Sequence, residues 1–173
     1  MGISDLLVTE FDQEVRKTQA MLERVPDAKA EFTPHAKSMT LGRLAAHVVD
    51  LAGFGFSVLT TSGRDFGKGQ YKPLPFESAA QLVRAFDDEV AKVRRVLATL
   101  PDTAWTENFS LSYEGERLFS GSRFVAYRQL FLNHIIHHRA QLGVYLRMND
   151  TPLPPTYGPS ADERRWDSDA SGE

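Results

Sequence analysis

The sequence predicts an all-α protein, a four-helix bundle folded as one domain. Four long segments place apolar residues at helical spacing, and no alternation of strand and helix patterns stands between them. The connections after the second and the third segment are long. A chain of 173 residues with 42% hydrophobic and 25% charged residues has the size and composition of a single globular domain. Together these observations favour a helical bundle with two long links.

The first two helices are predicted from their apolar stripes and from residues that start or stop helices. Segment one covers about 4–25 and ends before Pro26, whose ring cannot continue a helix. Segment two covers about 40–61, and either Ser38 or Thr40 can cap its first turn. Each stripe needs a partner surface, so both helices are expected to face the bundle core.

The third and fourth helices are predicted in the same way. Segment three begins with Ser78 followed three residues later by Gln81, the pattern of a capping box, and it ends before Pro101. Its apolar residues recur every three or four positions. Segment four covers about 122–148 and carries a stripe of large aromatic and aliphatic residues, which are Phe124, Tyr127, Phe131, Ile135, Leu142 and Tyr145.

The remaining parts of the chain are predicted as links and a tail. The connection 62–77 contains three glycines and two prolines, which is typical of an irregular crossover between helices 2 and 3. The connection 102–121 is predicted to be irregular or to form a short hairpin around Glu114-Gly115. The bundle is expected to occupy 1–160. The acidic segment 161–173 is expected to be a disordered tail.

Charge and composition exclude several classes of function. The segment 161–173 holds five of the 23 acidic residues and two of the 20 basic residues, which leaves 18 of each in the body. A neutral body lacks the basic face that nucleic acid requires. The absence of cysteine excludes disulfides, thiolate metal sites and a cysteine nucleophile. No signal peptide and no membrane span are recognised, so we expect a cytoplasmic protein.

Three histidines carry the strongest functional signal. His134 and His138 are four residues apart on the apolar side of segment four, so they lie one turn apart on the same face. His47 lies at helical spacing along the inner side of segment two. Three inward imidazoles match an open metal site with a free position, but histidines on apolar faces also occur as ordinary core residues. Imidazole suits Zn, Ni, Cu and Fe alike, so the ligand type does not select the metal.

Other polar residues near these histidines give weaker signals. His137 points about 100° away from His138 around the helix and is expected outside the site. His35 is expected at the surface. Asp50 lies one turn from His47 and either orients its ring or is a partly exposed helix charge. Arg139 is a candidate for holding an anionic substrate. The residues between the helix-four histidines lack the glutamate of zinc proteases, which excludes that motif.

Three stretches resemble the DinB-like family over residues 4 to 163. They are TLGRLAAH (40–47), NHIIHHRAQL (133–142) and YGPSADE (157–163). The resemblance implies an up-down-down-up four-helix bundle that is often dimeric. It also implies that His47, His134 and His138 bind one divalent metal ion, with nickel or zinc the expected ions. Some members of this family use a low-molecular-weight thiol as transferases or isomerases.

Two hypotheses for function follow. The first is a metal-dependent enzyme, a thiol-dependent S-transferase or isomerase or a hydrolase, that activates a bound water or a small-molecule thiol by lowering its pKa. The second is a non-catalytic metal-binding or dimeric interaction module. Catalytic residues are not identified. A homodimer is expected through helices 1 and 3, where Met21 beside Leu22 and Leu82 beside Val83 widen the apolar faces, unless these residues fill the interior.

Overall fold

The computed structural model describes residues 2–67 and 71–164. The protein is mostly helical but also contains a small three-stranded sheet, so the prediction of an all-α fold is wrong in that respect. The long helices are α1 (Ile3–Leu22), α2 (Leu41–Thr60) and α3 (Ala79–Leu97), followed by a composite fourth helix. This last helix consists of α4 (Arg123–Ala126), a π-helical segment (Tyr127–Leu132) and α5 (Asn133–Met148).

The predicted helix starts agree with the structure to within a residue. The Thr40 hydroxyl accepts a hydrogen bond from the Arg43 amide at 3.2 Å, and the Ser78 hydroxyl accepts one from the Gln81 amide at 3.1 Å. These bonds satisfy amides that the first turn of a helix leaves without partners. Only half of the capping box forms, because Gln81 Oε1 is buried without a hydrogen-bond partner in the described part of the chain.

Helix α2 occupies the centre of the core. It packs against α3 and α5, while α1 packs against the same two helices from the other side. Gly55 allows α2 to approach the π-helical segment closely, since a Cβ at this position would lie 2.5 Å from the Phe131 ring. By length and composition alone α2 could cross a membrane, but 67% of its most apolar window is buried, as in a core helix.

The three-stranded sheet forms from the two long connections. Strand β1 (Gly63–Asp65) pairs in parallel with β2 (Asn108–Tyr113), and β2 pairs antiparallel with β3 (Glu116–Ser122). The predicted hairpin is therefore present. The crossover between helices 2 and 3 is not wholly irregular, since its first part adds a strand to that hairpin. A three-residue strand is too short to show an alternating pattern in the sequence.

One carboxylate ties the crossover to the hairpin turn. The turn places Glu114 and Gly115 at φ values of 52° and 86°, as a tight two-residue hairpin turn requires. The Asp65 carboxylate accepts hydrogen bonds from the amides of Glu114 at 3.0 Å and Gly115 at 2.8 Å. It also accepts one from the Gly67 amide. These backbone donors lower the pKa of Asp65.

The π-helical segment explains one error in the predicted stripe of the fourth helix. Phe124 was expected inside the core but is 40% exposed, whereas Tyr127 and Phe131 are fully buried. A π-helical turn contains more residues than an α-helical turn. Residues before such a turn therefore lie on a different face of the helix from the one that a continuous α-helical period predicts. A single helical period across 122–148 therefore misplaces Phe124.

The predicted dimer surface also looks different in the structure. Met21, Leu22 and Leu82 are each at most 4% exposed and belong to the protein's own core, whereas Val83 is partly buried and packs against that core. Burial in the interior was the alternative explanation for these apolar residues. The homodimer itself stays a prediction.

The C-terminal segment after α5 lies against α5 and the α1–α2 connection. Asp162 pairs with Arg147 at 2.5 Å, and Glu163 pairs with Arg24 of the α1–α2 connection at 2.5 Å. These contacts belong to the first residues of the predicted acidic tail 161–173. The rest of that tail, 165–173, lies outside the described residues.

Candidate metal centre

The structure brings the three predicted ligands together between α2 and α5. His47, His134 and His138 each offer a ring nitrogen, and these three atoms lie within 4.8 Å of one another. The ring centroids of His47 and His138 are 4.6 Å apart, and those of His134 and His138 are 4.7 Å apart. The four-residue spacing on α5 and the packing of α2 against α5 together create this cluster.

His134 and His138 face each other through the same type of atom. Their Nε2 atoms are 2.9 Å apart. His134 Nδ1 lies 3.3 Å from the main-chain oxygen of Leu130, in the π-helical segment, and His138 Nδ1 lies 2.6 Å from Gln141 Oε1. Both rings thus have their outer nitrogen anchored and their inner nitrogen directed at the other ring, the arrangement typical of metal-ligating histidines.

His47 is the least satisfied member of the cluster. Its Nδ1 is buried and has no hydrogen-bond partner among the residues that the structure describes. Burial, together with the neighbouring rings of His138 and His134, lowers the pKa of His47 from 6.5 to about 4. Burial also lowers the pKa values of His134 and His138. All three rings are therefore neutral at pH 7, the form that binds metal.

This donor set fits a divalent transition metal. Three neutral imidazoles leave a coordination position open, as catalytic zinc sites do, and imidazole is also a good ligand for nickel. A buried nitrogen without a hydrogen-bond partner is costly, and His47 Nδ1 is such a nitrogen among the described residues. The facing Nε2 atoms of His134 and His138 share a hydrogen bond when one of them carries a proton, and both can ligate an ion when neither does.

A cavity of about 360 Å³ opens beside the cluster. His47 and His134 form part of its wall, so the histidines are reachable from this space. Most of the wall is apolar, from Leu51, Phe54, Phe66, Leu111 and Leu130. Strand β2 and the crossover after α2 thus complete a pocket over a site whose ligands come from helices.

Three polar residues that belong to the same wall form a hydrogen-bonded group. The Tyr71 hydroxyl donates to Asp50 Oδ2 at 2.5 Å, and Arg43 donates to Asp50 Oδ2 at 3.2 Å and to the Tyr71 oxygen at 3.3 Å. The Leu74 amide donates to the other Asp50 oxygen. Asp50 therefore does not orient His47 through a hydrogen bond. Its partners are Arg43, Tyr71 and the crossover backbone.

Arg139 does not line this cavity. It points to the other side of α5, where it pairs with Glu14 at 2.6 Å, and both side chains are at most 6% exposed. The Tyr157 hydroxyl donates to Glu14 Oε2 at 2.7 Å and accepts from Arg139 at 2.7 Å. The proposal that Arg139 holds an anionic substrate is thus wrong, because its charge is neutralised inside the protein.

The remaining histidines lie where the sequence predicts, and Gln141, which the sequence only places beside the site, contacts His138. His137 and His35 are exposed. Gln141 was present in the motif but carried no signal of its own, although its three-residue spacing from His138 puts both on one helix face. The roles of Arg43 and Tyr71 depend on the fold of the crossover, which no motif specifies.

Comparison with known proteins places this architecture in a family. A model of the DinB family matches residues 1–168. YrdA of Bacillus subtilis strain 168 is 24% identical over 163 residues, covering 92% of this chain and 90% of its own. A DinB-like protein of Bacillus cereus ATCC 10987 has a similar fold, with a TM-score of 0.64 at 22% identity, covering 86% of this chain and 94% of that one.

A second solved structure has the same degree of similarity. The DinB-like protein YjoA of Bacillus subtilis gives a TM-score of 0.64 at 21% identity, with 92% of this chain and 99% of that chain covered. At such identities the structural matches show a shared fold. The family model spans nearly the whole chain, and on that ground the chain belongs to the DinB family.

Proposed function

We propose that this protein is a metal-dependent enzyme in which His47, His134 and His138 hold one divalent ion, nickel or zinc. One observation carries the proposal: two ring nitrogens face each other at 2.9 Å beside a half-buried third ring, that of His47, whose buried Nδ1 has no partner among the described residues. When bound, such an ion acts as a Lewis acid that lowers the pKa of a water or thiol.

The protein's own residues supply the surroundings of the reaction. The apolar part of the wall of the 360 Å³ cavity can accommodate the apolar body of a small substrate. A tyrosine hydroxyl carries its proton at neutral pH, and burial together with the hydrogen bond to Asp50 raises the pKa of Tyr71 further. Tyr71 Oη can therefore donate a hydrogen bond to a polar substrate atom in the cavity, in exchange for its bond to Asp50.

A low-molecular-weight thiol is the proposed co-substrate. The chain contains no cysteine, so a thiolate in the reaction has to come from outside the protein. Transfer or isomerisation at the thiol and hydrolysis by an activated water are the two reaction types that this site supports. Both require access to the ligands, which the cavity provides.

The second candidate is a non-catalytic metal-binding or interaction module. A structural metal site is normally closed by four protein ligands. Here three histidines form the cluster, and two of them line a cavity. This difference favours the enzyme over the module.

The proposal includes the assembly and the location of the protein. We propose the up-down-down-up order of a four-helix bundle, in which α1 and α2 each pack against α3 and α5. We further propose a cytoplasmic homodimer. Light scattering at micromolar concentration measures the assembly: a mass near twice 19.4 kDa supports the dimer, and a mass near 19.4 kDa contradicts it.

The activity is tested by screening metal-loaded protein against thiol-conjugation and ester or amide hydrolysis substrates. His138→Ala serves as the matched inactive variant and His137→Ala as the control, because His137 is exposed. We expect turnover that requires metal and is lost in His138→Ala. Full metal binding with no turnover in any reaction class would favour the interaction module.

A further inference from the structure

A second cavity shares part of its wall with the 360 Å³ cavity beside the histidines, which we call the histidine cavity. The second cavity has a volume of about 520 Å³ and is lined by α2, the crossover and α3. We call it the polar cleft. Four residues line both spaces, namely Asp50, Phe54, Phe66 and Tyr71. The two spaces are therefore direct neighbours.

Charged side chains distinguish the polar cleft from the mostly apolar histidine cavity. Arg64 and Lys72 line it from the crossover. Asp88, Glu89 and Lys92 line it from α3, and the last two pair with each other at 2.7 Å. The other three charges have no ion-pair partner in the part of the chain that the structure describes. The cleft therefore offers two unpaired cations from the crossover and one unpaired acid from α3.

Arg64 is held in place by groups that leave its charge uncompensated. Its guanidinium donates to the Ser57 hydroxyl at 2.8 Å, and its Cζ lies 5.1 Å from the centre of the Phe66 ring. Neither contact supplies a negative charge, and Arg64 is partly buried. A guanidinium that is already positioned binds a carboxylate with little further loss of side-chain freedom. Because Phe66 belongs to the shared wall, this cation also lies next to the histidine cavity.

We propose that the polar cleft binds the charged end of the low-molecular-weight thiol, and that this end is of the amino-acid type, with a carboxylate for Arg64 and Lys72 and an ammonium group for Asp88. The other end of the same molecule occupies the histidine cavity. The inference rests on the proposed function for the reacting end and adds the chemical class of the remote end. Its basis is the complementarity between the unpaired charges of the cleft and those of an amino acid.

The first test compares two probes that differ at the charged end. S-benzyl-L-cysteine carries an ammonium and a carboxylate, whereas 2-(benzylthio)ethanol carries neither, and the benzyl group of each suits the apolar part of the histidine cavity. Isothermal titration calorimetry should give a dissociation constant about tenfold lower for S-benzyl-L-cysteine, the effect of one hydrogen bond between charged groups. Equal dissociation constants, or no binding of S-benzyl-L-cysteine, would overturn the proposal.

The second test changes the charges of the cleft one at a time. Lys72→Met and Asp88→Asn should each weaken binding of S-benzyl-L-cysteine roughly two- to fivefold, the size of an exposed ion pair. Binding of 2-(benzylthio)ethanol should not change, whereas a general structural effect would weaken both probes. Arg95→Met and Asp87→Asn are the matched controls, because both residues are exposed on α3 and neither lines the cleft. Variants that bind S-benzyl-L-cysteine as tightly as their controls do would contradict the proposal.

Both tests are carried out with chelator-treated and with zinc-loaded protein, which separates this inference from the metal site. None of the unpaired charges of the cleft belongs to the histidine cluster, so the preference for S-benzyl-L-cysteine should be the same in both preparations. Protein that binds neither Zn²⁺ nor Ni²⁺ but keeps this preference would contradict the proposed function and support the polar cleft as a binding site.

Discussion

Two polar clusters lie on opposite sides of α5. Two residues that are adjacent in sequence, His138 and Arg139, belong to different clusters. His138 points toward α2 and joins the three histidines, whereas Arg139 points toward α1 and joins Glu14 and Tyr157. Both residues are buried, at 8% and 2% exposure. They differ in how completely their polar atoms are paired.

The arginine cluster is internally complete. Arg139 donates to the Glu14 carboxylate, the Glu14 main-chain oxygen, the Thr18 hydroxyl and the Tyr157 hydroxyl, and Lys17 adds a second cation to Glu14. Burial alone would raise the pKa of Glu14, but Tyr157 and Arg139 outweigh it and the pKa is lowered. Opposite charges with full hydrogen bonding need no ligand.

The histidine cluster has the opposite character. It groups three bases, no acid lies among them, and one nitrogen has no partner in the described residues. Burial of polar groups therefore does not by itself indicate a functional site. A buried cluster whose polar atoms all have partners inside the protein stabilises the fold. A buried cluster of bases without a partner cation or acid is a candidate binding site.

The largest expected effect is on the arginine cluster. Arg139→Met leaves Glu14 as a buried charge without its main partner, so the free energy of unfolding should fall by about 3–5 kcal/mol. Urea denaturation measures the change. Arg147→Met is the matched control, because its pair with Asp162 is exposed, and it should lose about 1 kcal/mol or less. A loss in Arg139→Met no greater than in this control would break the comparison.

The second effect is specific to the histidine cluster. Zinc or nickel at 100 times its dissociation constant should raise the free energy of unfolding by about 2.7 kcal/mol. The increase should vanish in His134→Ala and persist in His137→Ala, whose side chain is exposed. Thermal or urea unfolding with and without metal shows the difference. An equal increase in His134→Ala would place the ion elsewhere.

A smaller effect is expected at the edge of the arginine cluster. Tyr157→Phe removes one hydroxyl that both donates to Glu14 and accepts from Arg139, while the charges stay paired. We expect a loss of about 2 kcal/mol, as for hydrogen bonds to charged groups. Urea denaturation of Tyr157→Phe and Arg139→Met under the same conditions compares their losses in the free energy of unfolding. A loss as large as that of Arg139→Met would mean that the hydroxyl, and not the ion pair, holds the cluster.

The last effect is the pH dependence of the metal-free protein. The pKa of His47 is lowered from 6.5 to about 4 in the folded state, so its contribution to stability is present above pH 6.5 and is lost as the pH falls toward 4. His47→Gln should flatten the stability profile in this window. His35→Gln, at an exposed position, should not. Equal slopes in His47→Gln and the natural sequence would contradict the burial of this ring.

The sequence predicts the histidine cluster better than the arginine cluster for a physical reason. Helical spacing puts His134 and His138 on one face of segment four and His47 on the inner side of segment two. By contrast, Glu14 contacts Arg139 and Tyr157, which lie more than 120 positions later in the sequence. No local sequence pattern predicts such a pairing. Long-range packing decides it.

The same distinction applies to the fold. The four helices follow from local periodicity and end residues such as Thr40 and Pro101, and the hairpin follows from the Glu114-Gly115 turn. Strand β1 depends on a distant partner, β2, and was missed. The π-helical segment is not predicted by a single helical period across 122–148.

The most direct test of the central claim is the metal content of protein purified without chelator, measured by elemental analysis. The account predicts about one divalent ion per chain in the natural sequence and in His137→Ala, with loss of the ion in His134→Ala and in His138→Ala. Full metal content in both His134→Ala and His138→Ala would contradict the three-histidine site.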